Sequence, residues 1–181
     1  MKKINEIFYS LQGEGFYVGT PAVFVRFSGC NLKCDFCDTR HEEGTFLSDE
    51  EIVKEVCCYP CRMVILTGGE PGLWIDESLI GALHRAGKYV CVETNGTCAL
   101  PSSVDWVTCS PKKGGSLHVA RIDEVKVVFV GQAVEPYLQL KASAYFLQPC
   151  SGKNTTEVVE YIKRHPVWRL SLQTHKLIDI P

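Results

Sequence analysis

The stretch Met63-Val64-Ile65-Leu66-Thr67-Gly68-Gly69-Glu70-Pro71 decides the architecture of this chain. Its first four side chains are apolar without alternation, the pattern of a strand covered on both faces in a parallel sheet. The run then breaks into a glycine pair and a proline, which mark a turn. The same arrangement recurs on either side. Continuous apolar runs lie at Val23 to Phe27, Tyr89 to Glu93, Trp106 to Ser110, Val125 to Val130, Tyr145 to Gln148 and Arg169 to Gln173. Small polar clusters close several of them: Glu93-Thr94-Asn95-Gly96, Ser110-Pro111-Lys112, Gln148-Pro149 and Gln173-Thr174-His175. Ligands of parallel α/β sheets and barrels bind at the C-terminal strand ends, so these clusters are expected to converge on one mouth.

Helical spacing fills some of the intervals, at Asp49 to Val56, Glu77 to Ala86 and Thr156 to Arg164. Ser48 with Glu51, and Asn154 with Glu157, have capping-box spacing, and Gly87 and Pro166 mark stops. Alternating strands and helices specify an α/β fold. A closed eightfold barrel takes about 250 residues. Here Gly96 to Asp105 and Lys112 to Asp123 are too short, or too rich in Gly, Pro and Ser, for full crossover helices. The expectation is a single domain over residues 1–181: a truncated, open, partial TIM-like barrel of mostly parallel strands with reduced helices. At its start, Phe8 to Gln12 and Val23 to Phe27 flank the Gly-rich segment Gly13 to Pro21, which predicts a strand pair joined by that loop.

Composition narrows the function. With 45% hydrophobic and 22% charged residues and a net charge of −2, the chain has the make-up of a soluble globular protein. No apolar run approaches the roughly 20 residues that cross a bilayer, so no membrane partner is expected. The 19 basic residues are answered by 21 acidic ones, which argues against a nucleic-acid partner and for a small molecule. The start, Met1 to Phe8, lacks a secretory apolar segment, which predicts a reducing, cytoplasmic location. Thiols there are free or metal-bound.

There are 10 cysteines. Cys30, Cys34 and Cys37 follow the second strand directly, and their spacing admits three readings: a cubane iron-sulfur cluster with one iron left open, zinc completed by another Cys or His, or unliganded thiols. Cys91, Cys109 and Cys150 lie in or beside strands and read as buried small hydrophobes. Cys57, Cys58 and Cys61 lack an evident fourth ligand and read as thiols without a function.

The spacing Cys-x3-Cys-x2-Cys, with Phe36 before its last cysteine and Gly68-Gly69-Glu70-Pro71 at a later strand end, resembles the radical S-adenosylmethionine (SAM) superfamily. That resemblance implies a radical SAM core in which Cys30, Cys34 and Cys37 ligate a 4Fe-4S cluster and SAM chelates the open iron. One-electron reduction, by a flavodoxin-like or ferredoxin-like donor, then cleaves SAM to methionine and a 5'-deoxyadenosyl radical. It further implies SAM contacts at Phe36, Cys37, Asp38, Gly69, Glu70, Ser110, Pro111, Lys112 and Gln148. Glycine at 69 suits a place where main chain approaches a ligand closely.

Ser10-Leu11-Gln12-Gly13-Glu14-Gly15, Arg26 and Cys37-Asp38-Thr39 are similar to the 7-carboxy-7-deazaguanine synthase family of the queuosine and deazapurine pathway, and the likeness continues to Pro181. The resemblance implies conversion of 6-carboxy-5,6,7,8-tetrahydropterin to 7-carboxy-7-deazaguanine with loss of ammonia, through hydrogen abstraction at C6, ring contraction and regeneration of SAM. It places substrate contacts at Leu11, Gln12, Gly13, Glu14, Arg26, Thr67 and Pro181, the last through its free carboxylate, and a Mg²⁺ ligand at Thr39. Arg26 would grip the substrate carboxylate with two parallel hydrogen bonds. A homodimer is implied as well.

Plainer readings stand beside these. Glu14 also reads as a solvated loop tip, Lys112 as a surface residue, Asp38-Thr39 as a turn, and His175 as structural. Two other functions fit part of the pattern: another radical SAM enzyme, such as a glycyl-radical activase, and a non-enzymatic zinc or iron-sulfur binding module. The activase has no evident need of Leu11 to Gly15 with Arg26, and metal analysis separates the module, which would hold zinc without iron and show no affinity for SAM.

Overall fold

A computed structural model of the protein describes residues 1–35, 37, 39 and 41–181. The expected strand pair is present: β1 (Lys2–Leu11) lies antiparallel to β2 (Pro21–Phe27). The loop between them is clamped by main-chain bonds from Gln12 to Thr20 at 2.8 Å and from Gly19 to Gln12 at 2.7 Å. A short β3 (Thr45–Leu47), which the apolar pattern does not announce, adds antiparallel to β1.

From β2 onward every pairing is parallel. β4 (Met63–Gly68), β5 (Tyr89–Thr94), β6 (Trp106–Cys109), β7 (Glu124–Phe129), β8 (Ala144–Pro149) and β9 (Arg169–Leu170) follow in turn. The sheet runs β3-β1-β2-β4-β5-β6-β7-β8-β9, with β3 and β9 at opposite edges, so the barrel is open. The run Arg169 to Gln173 is therefore shorter as a strand than expected: only Arg169 and Leu170 pair, and both are exposed. The chain then turns into the short α4 (Thr174–Leu177).

α1 (Asp49–Val56) and α2 (Glu77–Arg85) cover one face of the early strands. Ile52, Val56, Leu79, Ile80 and Leu83 pack on Val23, Val25, Val64, Leu66, Val90 and Val92, all fully buried. A second core joins Val125, Val127 and Leu147 to Val158 of α3 (Thr155–Arg164) and Trp168. Between β5 and β6, and between β6 and β7, the described chain has loops instead of helices, as its Gly, Pro and Ser content predicts.

The capping box of α1 forms as read, with Glu51 N donating to Ser48 Oγ at 3.2 Å and Ser48 N to Glu51 Oε2 at 2.7 Å. Asn154 does not act that way. Its amide accepts from Cys150 N and donates to Phe129 O, both at 2.9 Å, which ties α3 to the ends of β7 and β8. Among the described residues no helix is long and apolar enough to cross a membrane.

Candidate active site

The C-terminal strand ends open into one cavity of about 1040 Å³, large enough for more than one small molecule. Its wall takes Leu11, Gln12, Gly13 and Glu14 from the β1–β2 loop, Arg26 from β2, and Cys30, Cys34, Cys37 and Thr39 from the cysteine loop. Thr67, Gly68 and Gly69 come from β4, Glu93 and Asn95 from β5, and Ser110 and Lys112 from the loop after β6. Lys126 of β7, Gln148 of β8, and Gln173, His175 and Pro181 complete it.

The cysteine loop is seated by main chain. Gly29, with φ of +86°, turns the chain out of β2, a conformation that suits glycine. Gly69 N donates to Phe27 O at 3.1 Å, and Glu70 N to Gly29 O at 2.9 Å. A Cβ on Gly69 would lie 1.9 Å from Gly29 O and 3.0 Å from Cys30 N. Glycine is therefore required where the two loops lie against each other. Asn95 Nδ2 donates to Asn31 Oδ1 at 3.1 Å and approaches Cys30 Sγ at 3.9 Å.

Burial pushes the Cys34 thiol up, and the neighbouring Cys30 and Cys37 add to that, against the pull of Lys112. All three cysteines line the cavity wall. Among the described residues no three His, Cys, Asp or Glu side chains converge as ligands of a single ion would. A cubane asks for something else, one soft thiolate at each of three separate irons. The donor set and its seat fit a cluster.

Two residues expected to contact SAM do not line the cavity. Glu70 is fully buried and outside the cavity wall. Its carboxylate accepts from Gly72 N at 2.9 Å, Thr94 Oγ1 at 2.7 Å and Asn95 N at 2.7 Å, so it braces the loops after β4 and β5. Pro111 is buried behind the wall as well. Phe36 and Asp38 lie outside the described residues.

Other local readings change too. Lys112 is not a surface residue: it lines the cavity with Nζ 2.5 Å from Ser110 Oγ, and burial holds its ammonium below the usual lysine range. Glu14 is not a solvated tip. Its carboxylate accepts from Lys126 at 2.7 Å, Gln173 at 2.9 Å and Gln148 at 3.2 Å. Burial pushes that carboxyl up, but Lys126, the Gln173 amide and His175 outweigh it and hold it below the usual range. Cys150 is half-buried and lines the cavity, whereas Cys91 and Cys109 are buried as expected. Burial pushes the Cys109 thiol up to about 12.

Arg26 donates from Nε to Glu6 at 2.7 Å, and its guanidinium stands 5.6 Å from the Phe8 ring centre. The C-terminal segment closes over the β1–β2 loop. Thr174 N and Oγ1 both donate to Gly13 O at 2.9 Å, and Ser10 Oγ donates to Pro181 O at 2.7 Å. His175 packs so tightly on Gly13 that a Cβ there would lie 2.1 Å from its Nδ1. Cys57, Cys58 and Cys61 lie before β4, at the opposite end of the sheet from the cavity; Cys58 and Cys61 bond main-chain carbonyls of Lys54 and Met63.

The sequence reading missed Lys126 as a wall residue, whereas Glu93 stands in the wall with the strand-end cluster that it opens. A signal exists for Lys126, a lysine inside the apolar run Val125 to Val130, and it went unread because strand periodicity says nothing about a partner.

Residues 24–109 match the Radical SAM superfamily. The 7-carboxy-7-deazaguanine synthase of Bacteroides thetaiotaomicron is 67% identical over 180 residues, covering 99% of this chain and 99% of its own length. That of Burkholderia multivorans is 40% identical over 206 residues, with 98% of each covered. Among solved structures, the crystal structure of QueE from Escherichia coli superposes with a TM-score of 0.80 at 30% identity, covering 94% of this chain and 93% of that one.

Proposed function

The chain belongs to the 7-carboxy-7-deazaguanine synthase family of radical SAM enzymes, and from that membership we infer how its residues share the making of 7-carboxy-7-deazaguanine from 6-carboxy-5,6,7,8-tetrahydropterin with loss of ammonia. The observation that carries this reading is a single cavity with Cys30, Cys34, Cys37 and Gly69 on one side and Gln12, Arg26 and Thr67 on the other. The activase reading has no comparable use for that second side.

When bound and reduced by one electron, SAM on a 4Fe-4S cluster supplies a 5'-deoxyadenosyl radical for hydrogen abstraction at the pterin C6. Cys30, Cys34 and Cys37 hold the cluster. Main chain at Gly69, with Ser110, Lys112 and Gln148, lines the SAM side, while Glu70 and Pro111 act by shaping the loops. Leu11, Gln12, Gly13, Glu14 and Thr67 seat the pterin, Arg26 exchanges Glu6 for the substrate carboxylate, and Pro181 closes the site. Thr39 would give one ligand to Mg²⁺, a sparse protein share that suits an ion usually bound in part through water and substrate oxygens. The β1–β2 loop and C-terminal segment together exclude water from the reacting centre.

The chain works as one domain in a homodimer, receives its electron from a flavodoxin-like or ferredoxin-like protein, and resides in the reducing cytoplasm. The test is an anaerobic assay of reconstituted protein with SAM, Mg²⁺, dithionite and the pterin, read by mass spectrometry beside Cys34→Ala. Product that vanishes in the variant is expected. Cleavage of SAM to 5'-deoxyadenosine without the deazaguanine would overturn the substrate, and product formed equally without Mg²⁺ would remove Thr39 from its role.

A further inference from the structure

Lys126 is a buried charge in the interior of β7, with Val125 and Val127 buried on either side of it in sequence. Its Nζ donates to Glu14 Oε2 and to Glu93 Oε2, each at 2.7 Å. Those carboxylates come from the β1–β2 loop and the end of β5, so one ammonium spans the cavity floor. All three groups line the cavity, and the side chains are 6%, 17% and 18% exposed for Lys126, Glu14 and Glu93.

Stability does not account for this trio. Desolvating an ammonium and two carboxylates is costly, and well-packed apolar side chains of the same volume commonly hold a fold at least as well. What the charges offer is fixed acceptors. Glu93 Oε1 also takes a hydrogen bond from Gln12 Nε2 at 3.1 Å, and Glu14 Oε1 takes bonds from Gln148 and Gln173. Both carboxylates are thereby held at both oxygens. A carboxylate has about four lone-pair sites, so Glu93 keeps acceptor capacity toward the cavity.

We propose that Lys126 is a positioning residue for this reaction: by bridging Glu14 and Glu93 it fixes two carboxylates as acceptors for the N–H-bearing edge of the substrate's aminopyrimidinone ring. The proposal rests on the pterin reading of the cavity. The charged groups around it are Glu14, Glu93, Glu124 from β7 and Lys112 from the loop after β6, with His175 of α4 facing Glu14. Burial, helped by Glu93 and opposed by Lys126, pushes the Glu124 carboxyl up. Removing the lysine leaves like charges together in a desolvated place, which favours their protonated forms. A protonated carboxyl is a poorer acceptor, so binding is lost as pH falls.

The test compares reconstituted wild type with Lys126→Met and Lys126→Gln, the second keeping a donor toward the carboxylates. In the variants KM for the pterin rises by roughly 10- to 100-fold, KM for SAM is unchanged, and kcat falls by less. The acid limb of kcat/KM moves to higher pH than in wild type, whose own limb absorbs the titrations common to all three proteins. Variants that lose thermal stability but keep the wild-type KM and pH profile overturn the proposal. So does a Gln variant that fails to fold, since it assigns Lys126 to stability. A wild-type enzyme that makes no deazaguanine from the pterin overturns the substrate reading instead.

Discussion

Glu70 Oε2 accepts the main-chain N–H of Asn95 at 2.7 Å, inside a site closed to solvent. This bond links the loop that seats Cys30 to the loop that carries Asn95, and Asn95 in turn reaches Asn31. Replacing Glu70 by Ala strands the donors of Gly72, Thr94 and Asn95. Each unsatisfied buried donor costs about 1–3 kcal/mol, so the loss is about 3 kcal/mol or more and Tm falls by roughly 6–12 °C. Glu70→Gln keeps one acceptor oxygen and falls between. Thermal melting of the two variants decides it, and an Ala variant melting with wild type would deny the brace.

The parallel strands were legible because Met63 to Leu66 and Val90 to Val92 are covered on both faces, which forces continuous apolar sequence. β3 was not, because its three residues pair by register with Lys2 to Ile4 and two of them are exposed. The cavity wall was legible where a motif marks a strand end. Lys126 escaped because its meaning depends on Glu14 and Glu93, 112 and 33 positions away. The bracing role of Glu70 escaped for the same reason: its partners Thr94 and Asn95 lie 24 and 25 positions on, and a motif residue at a strand end shows its hydrogen bonds only in the folded chain.

Gly69→Ala puts a methyl into the carbonyl of Gly29 and against Cys30 N, both main-chain atoms that cannot swing aside. The cysteine loop must shift as a unit. Reconstituted protein is expected to hold less iron per chain than wild type, and displacement of the reacting groups by about 1 Å lowers turnover by about 100-fold. Wild-type iron and activity in this variant would show that the two loops separate without consequence.

Cys57, Cys58 and Cys61 sit at the far end of the sheet from Cys30, Cys34 and Cys37, with the first two exposed. Changing all three to Ser is expected to leave iron content and product formation at wild-type levels, with stability altered by about 1 kcal/mol or less. Cys34→Ala, in contrast, removes both. Loss of iron in the triple Ser protein would reveal a metal role that the geometry does not provide.

Asp76 caps α2 by accepting from Leu79 N at 3.0 Å and also pairs with Lys2 at 3.0 Å, while Lys2 holds Asp49 at 2.6 Å. Burial pushes the Asp76 carboxyl up, but the Leu79 N–H and Lys2 outweigh it and hold it below the usual aspartate value of 3.8. Asn at this place keeps a capping oxygen and removes only the charge. A carboxyl depressed in the folded state stabilises above its unfolded value and loses that contribution as pH falls through the lower, folded one. The side chain is 54% exposed, so the ion pair contributes under about 1 kcal/mol. Wild type should therefore melt above Asp76→Asn at pH 7 by less than about 4 °C, with the gap level down to about pH 5 and closing below about pH 4. A gap that widens in acid would mean the native carboxyl is raised instead of lowered, and would reverse the reading of the Lys2 pair.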